Sequence, residues 1–257
     1  MFEGADDTTE SRMSATARRR DLDRFYDLLH DLERRVGGPR KLKHCTGYMQ
    51  WPDRGVYVFL EPGETRSATG RPRVTRVGTH AVSAGSSTSL WDRLKQHYGT
   101  GSGSSDHPHG GNHRGSVYRK RVGEAIIEKH DLHDDYPDWD ERWSSIDRDR
   151  AEVRDEEYIL ERRVSAYIRE QPFLWVDVDD EPGADSDRAY IEQNAIALLS
   201  NFEDRTIDPR SDGWLGTYSR SREIRASGLW NVNHVAEAYD PDFLDLLEAA
   251  LDDTTSP

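Results

Sequence analysis

The chain has 257 residues, enough for one large domain or two small ones. Its single cysteine, Cys45, excludes an intrachain disulfide, and no apolar run approaches the roughly 20 residues of a membrane span. The opening residues are polar and charged, without the apolar core of a secretory leader, so the chain reads as cytoplasmic with no membrane partner.

The formal net charge of -14 argues at first against a polyanionic partner. The distribution reverses that impression. Residues 40–130 hold 15 Lys/Arg against 7 Asp/Glu, whereas residues 131–192 hold 8 against 21. A basic functional surface inside an acidic protein is the reading that follows. Arginine outnumbers lysine 30 to 5. That bias suits bidentate phosphate contacts, and genome composition or salt adaptation would produce it equally.

Residues 1–15 read as a disordered polar tail. From Thr16 to Val36, Leu22, Phe25, Leu28, Leu29, Leu32 and Val36 recur at helical spacing, and Gly37-Gly38-Pro39 ends the helix. Its Arg18-Arg19-Arg20 run reads as a solvated face, with nucleic-acid contact as the alternative. Thr46–Trp51 and Val56–Leu60 are rich in aromatic and β-branched residues and predict strands. Pro62-Gly63 and Gly70 mark a long hairpin connection to a strand over Val74–Val82, on which Arg76, Gly78 and His80 share a face. Leu90–Tyr98 predicts a helix with Leu90 and Leu94 buried and Arg93 and His97 together on a neighbouring face.

The Gly/Ser/His stretch 100–115 reads as a mobile loop. His107, His109 and His113 have a spacing that zinc could use, but no cysteine or second close pair completes a site. The Asn112–Gly115 end reads as a phosphate-contacting loop, and Ser116 as the cap of a helix that carries Arg119, Lys120 and Arg121. An acidic insertion at about 131–155 contains Trp139 and Trp143. Glu156–Gln171 predicts a helix, Phe173–Val178 a buried strand, and Asp187–Phe202 a helix capped by Ser186 with Glu192 near its start. Residues 207–257 form a C-terminal extension that ends in a short helix over Pro241–Leu251.

In this order the chain resembles the GIY-YIG nuclease superfamily. Gly55-Val56-Tyr57 stands where that family has Gly-Ile-Tyr, and Arg76-Val77-Gly78 where it has Tyr-Ile-Gly. Leu90-x-x-Arg93-Leu94 matches its arginine helix, and Glu192 its metal-binding glutamate. The match covers roughly Tyr48 to Phe202. Arg93 followed by His97, with a later Asn, is more similar to the restriction-endonuclease branch than to the excision-repair branch. Asn201 stands first for that Asn, with Asn231 and Asn233 as competitors.

The resemblance implies an α+β fold: a small antiparallel or mixed three-stranded sheet flanked by helices, in a core over 40–206, preceded by the helix 16–39 and followed by the C-terminal extension. It implies a divalent-metal-dependent endonuclease that holds Mg²⁺ (or Mn²⁺) on Glu192 and acts on DNA, with RNA not excluded and a homodimer as the assembly suited to symmetric cutting. The implied catalytic group is Tyr57, Arg76, His80, Arg93, His97 and Glu192. Lys95, His113, Arg114, Arg119, Asn201 and Asn233 are the expected nucleic-acid contacts. The chain departs from the pattern at Arg76, because an arginine does not lose its proton and cannot act as a base. His80 and Tyr118 are the candidates to supply the missing titratable group. Two other readings stand beside the enzyme: a binding module that kept the fold and lost hydrolysis, and an interaction protein that docks a partner through Trp139 and Trp143.

Overall fold

The computed structural model describes residues 6–103, 106–202 and 206–256, with side chains from Ala15 onward. Four strands form one antiparallel sheet: β1 (Arg40–Lys41), β2 (Gly55–Thr65), β3 (Pro72–Gly78) and β4 (Pro172–Asp177), in the order β1-β4-β2-β3. The resemblance implies a three-stranded sheet. The fourth, β1, is two residues long and exists only through its pairing with β4, so no local pattern could reveal it.

A second correction concerns Thr46–Trp51, which forms turns rather than a strand. Of its two aromatics, Tyr48 is exposed and Trp51 packs. Trp51 stacks on Trp91 with 5.4 Å between ring centroids and sits edge-on to Trp175 at 5.3 Å. Pro52, which has no amide to donate, follows directly.

The helix α1 (Asp6–Val36) begins inside the segment expected to be a disordered tail, and residues 1–5 lie outside the described residues. Its predicted stripe, Leu22 to Val36, is buried throughout. Arg18 is also buried and donates to the carbonyl oxygens of Leu198 and Ser200, which satisfies the open C-terminal end of the helix α5 (Asp187–Leu199). Arg18 is thus withdrawn from any solvated or nucleic-acid-facing surface.

Two helical groups flank the sheet. α1, α5 and α7 (Phe243–Asp253) pack together against β2, β3 and β4. On the other side lie α2 (Leu90–Tyr98), α3 (Val117–His130) and α4 (Arg150–Glu170). β2 is central and pairs Tyr57 with Gly78 on one side and with Trp175 on the other. Residues paired across a ladder share a face. Tyr57, Phe59, Phe173 and Trp175 therefore form an aromatic floor, and Phe59 meets His97 and Tyr118 from α2 and α3.

β3 is an edge strand, and the C-terminal extension covers it. Trp230 N–H donates to Thr75 O at 2.7 Å. The Asn231 amide takes both backbone groups of Val77, accepting at 3.1 Å and donating at 2.8 Å. That pairing blocks the edge against association with another chain. The short helix α6 (Arg222–Ser227) leads into this segment. Buried Glu61 of β2 fastens the extension from within, accepting from the indole N–H groups of Trp214 and Trp230 at 2.9 and 3.2 Å and from the Tyr167 hydroxyl.

Candidate active site

Each side chain of the site is placed by a local rule. Ser89 caps α2 reciprocally with Asp92, so the helix starts at Leu90 and buries Leu90 and Leu94. One turn separates Arg93 from His97, and both turn toward the sheet. Gly78 has a specific reason to be glycine: a Cβ there would lie 2.4 Å from Cζ and Oη of Tyr57. The tyrosine ring lies across the gap that Gly78 leaves in the neighbouring strand.

Tyr57 and His97 are fully buried and hydrogen-bonded, Oη to Nε2 at 2.7 Å. The other ring nitrogen of His97 lies 3.1 Å from Ser116 Oγ, the cap of α3. Burial holds the His97 imidazole well below its ordinary range, and the Arg93, Arg76 and Arg119 charges add to that. His97 is neutral at pH 7 as a result.

Arg93 is half-buried beside Tyr57, the strongest influence on its guanidinium, and it also feels Glu192. Its Nη1 donates to Gln96 at 2.8 Å, and its Nε is buried without a hydrogen-bond partner among the described residues. Arg76 is buried with its guanidinium 4.7 Å from the Tyr118 ring centroid, and its Nε is likewise unpartnered. Glu192 reaches the end of β3 from α5, where Thr79 N–H donates to its Oε1 at 3.1 Å. Burial raises the Glu192 carboxyl above its ordinary value. Arg76, the Thr79 amide, His234 and Arg93 oppose that rise. Tyr57, Arg76, Arg93, His97 and Glu192 therefore occupy one neighbourhood.

His80 sits just outside it. Its Nδ1–H donates to Thr88 O at 2.8 Å, which leaves Nε2 as a buried lone pair without a partner among the described residues. Burial pushes its pKa down to about 4, helped by Arg188 and Arg93 against the Thr88 hydrogen bond. Tyr118, the other replacement considered, is fully buried, donates to Gln171 and has its phenol held well above its ordinary value by burial.

The expected nucleic-acid edge at His113, Arg114 and Arg119 needs correction. All three are turned inward by two glutamates on α4. Arg114 holds Glu157 at 2.5 and 2.8 Å. His113 donates to Glu161 at 2.9 Å, and Arg119 is fully buried on Glu161, Ser165 O γ and the His97 carbonyl. Asn201 is spent on its own loop, donating to Asp208 O and Ser227 O and accepting from Ile207 N–H. Lys95 and Asn233 are exposed. The loop histidines have separate partners: His107 meets Asp155, His109 meets Arg169 and His113 meets Glu161. Among the described residues no group of three His, Cys, Asp or Glu could hold a metal ion.

Sequence reasoning missed Thr79 and the particular roles of Asn231 and His234. Asn231 was legible as one of three competing asparagines, but its role on the Val77 backbone is not. His234 acts on Glu192 through space across forty-two positions, a pairing that no local sequence pattern marks. The family model described as GIY-YIG domain matches residues 16–257. The chain belongs to the GIY-YIG family. The match is wider than the resemblance of residues 48–202 and takes in α1 and the C-terminal extension that covers β3. Neither a curated protein nor a solved structure matches the chain. GIY-YIG membership gives a nuclease-type function directed at nucleic acid, and the four-stranded α+β sheet flanked by helices agrees with that fold.

Proposed function

We propose that this GIY-YIG protein is a divalent-metal-dependent endonuclease that hydrolyses phosphodiester bonds in DNA. The observation that carries the reading is the Tyr57–His97 hydrogen bond at 2.7 Å, set beside Arg93 and Glu192. In this arrangement a phenol, a neutral imidazole, a guanidinium and a carboxylate meet, which are the groups phosphodiester hydrolysis needs.

The donor set fits a hard cation held by one carboxylate. Glu192 Oε1 accepts from Thr79, while Oε2 makes no hydrogen bond to the protein among the described residues. Mg²⁺ retains several waters and accepts one or two carboxylates beside substrate phosphate. When bound, it would supply charge neutralisation of the phosphate and acidify a water. Glu192 is the residue that would hold it, and Mn²⁺ would serve in the same place.

The chain's own groups do the rest. Arg93 presents a fork to the phosphate oxygens and keeps Tyr57 close to that charge. With the proton of His97 on Nδ1 and donated to Ser116, Nε2 accepts from Tyr57 Oη. Tyr57 can then take the proton of an attacking water as its own passes to His97. The low proton affinity of His97 keeps the ring ready to accept in the resting state. Arg76 adds fixed positive charge where the family has a tyrosine, and His80 Nε2 is a second proton acceptor beside Arg93.

Supercoiled plasmid with Mg²⁺ or Mn²⁺ tests the reading: the protein should nick or linearise it, and Glu192→Ala should not. Cutting by Glu192→Ala at the unaltered rate would overturn it. The arginine at position 76 favours a second reading, a nucleic-acid-binding module without hydrolysis. That reading requires salt-sensitive binding and intact plasmid under every metal.

A further inference from the structure

A cavity of about 580 Å³ opens on the far side of α2 from Tyr57, between that helix and α4. Lys95 and Gln96 line it from α2, and Trp143, Arg154 and Tyr158 line it from the other wall. Gln96 also accepts from Arg93, so the cavity borders the candidate active site.

Cations and rings interleave along α4 and the adjoining Trp143, with Arg154 and Tyr158 on the cavity wall and Arg150 and Arg162 beyond it. Arg150, Arg154, Tyr158 and Arg162 recur every four residues and so follow one face of the helix. The Arg150 and Arg154 guanidinium carbons lie 5.4 and 5.9 Å from the Trp143 ring centroid, beside the Glu157-paired Arg114 at 4.1 Å, and that of Arg162 lies 5.7 Å from the Tyr158 ring. Arg150, Arg154 and Arg162 are exposed, and among the described residues none has a carboxylate within ion-pair reach. The carboxylates that line this surface are mostly engaged. Glu157 is held by Arg114, Glu161 by His113 and Arg119, Asp155 by His107, and Asp92 and Asp149 by the caps of α2 and α4, which leaves exposed Asp106. In a protein of charge -14 this is a local cationic surface with two aromatic faces built into it.

We propose that this ladder is a strand-binding groove, in which Lys95, Arg150, Arg154 and Arg162 take the phosphates of a single nucleic-acid strand and Trp143 and Tyr158 take its bases. The inference rests on the nuclease reading and extends it to how the strand leaves the site. Guanidinium groups alternating with aromatic rings match a polymer that alternates phosphate and base. An acidic peptide would use the charges and leave the rings without a role. From Arg150 to Arg162 the helix rises about 18 Å, room for about five nucleotides at roughly 3.4 Å each. The groove also places part of the acidic insertion, Trp143, on the substrate side of the molecule.

The test uses the full chain carrying Glu192→Gln, without metal, and a labelled single-stranded dT 12-mer beside an abasic strand of equal length. Arg150→Ala/Arg154→Ala/Arg162→Ala should weaken binding of both strands at least about tenfold and flatten the salt dependence, each lost phosphate contact lowering the slope by roughly 0.7. Trp143→Ala should weaken the dT strand about tenfold and leave the abasic strand within about twofold, with Trp143→Phe restoring most of the loss. Unchanged binding in the triple variant, whose substitutions are all on exposed side chains, would overturn the proposal. So would an equal loss on both strands in Trp143→Ala, or displacement of the strand by a polyglutamate peptide of equal charge at the same concentration as by unlabelled strand. Plasmid cutting by the protein with Glu192 intact separates the two readings. Ladder-dependent binding without cutting removes hydrolysis and keeps the groove, and cutting without ladder dependence does the reverse.

Discussion

Tyr57 Oη lies 2.7 Å from Nε2 of His97, and both side chains are fully buried. Removing the hydroxyl leaves the imidazole nitrogen without its partner, and a buried unsatisfied group costs about 1–3 kcal/mol. Tyr57→Phe should therefore destabilise the fold by that amount and lower plasmid cleavage by at least about 10²-fold. Urea unfolding of Tyr57→Phe, His97→Phe and the double variant checks the pair. The double variant should lose less stability than the two single losses combined, whereas strict additivity would show that the groups do not interact.

The packing of Tyr57 against Gly78 makes a separate prediction. Gly78→Ala puts a methyl group 2.4 Å from Cζ and Oη and 2.7 Å from Cε2 of that ring. Such overpacking costs roughly 1–3 kcal/mol. Tyr57→Phe should not rescue it, because Cζ and Cε2 remain, while Tyr57→Ala should cancel most of the added penalty. Thermal unfolding of the parent, the three single variants and the two double variants with Gly78→Ala gives the answer. A Gly78→Ala protein as stable as its parent would mean the ring does not sit across the strand.

Much of this site is written in local sequence. The two glycine motifs mark the strand pair, Ser116 and Ser186 cap their helices as expected, and α2 presents Arg93 and His97 at the spacing of one turn. What escaped is non-local. β1 has no pattern of its own and follows from β4. The basic run at His113, Arg114 and Arg119 looks solvent-facing because its partners, Glu157 and Glu161, lie more than forty residues away. A signal was present on the partner side. Glu157 and Glu161 fall on the buried stripe of α4 with Val153, Leu160, Val164 and Ile168, and acids on such a stripe require cationic partners. The Trp139 and Trp143 pair divides in the same way. Trp139 is buried and stacks on His113 with centroids 3.7 Å apart, while Trp143 stays half-exposed.

Glu161 carries a pH-dependent part of the stability. Burial pushes its carboxyl up, but the His113 hydrogen bond and the Arg119 charge overcome this and bring it down to about 2. A folded-state pKa below the unfolded value of about 4.5 means stability that is complete above that pH and lost as pH falls from about 4.5 toward 2. The shift corresponds to about 3 kcal/mol. Glu161→Gln should be less stable than the parent by a few kcal/mol at pH 7, and the gap should narrow across that acid window. Denaturant midpoints at pH 7, 5, 4 and 3 measure it. A gap that stays constant with pH would remove the ionised pair as its cause.

The acid limb of cleavage should report Glu192. Holding a divalent cation requires the ionised carboxylate, so activity rises with pH through the Glu192 pKa and is lost below it. Burial places that pKa above the ordinary value, and the Arg76 charge is the largest influence opposing the rise. Arg76→Met removes that charge while keeping a long side chain beside Tyr118. Its acid limb of kcat/KM should therefore lie at higher pH than that of the parent, and more metal should be needed at a given pH, because the carboxylate must give up its proton to bind. Arg76→Lys keeps the charge and should leave the limb near the parent position. Chelation of the metal should abolish cleavage in all three proteins. If Arg76→Met lowers activity equally at every pH, with the limb unmoved, Arg76 acts on the phosphate alone and its charge does not set the state of Glu192.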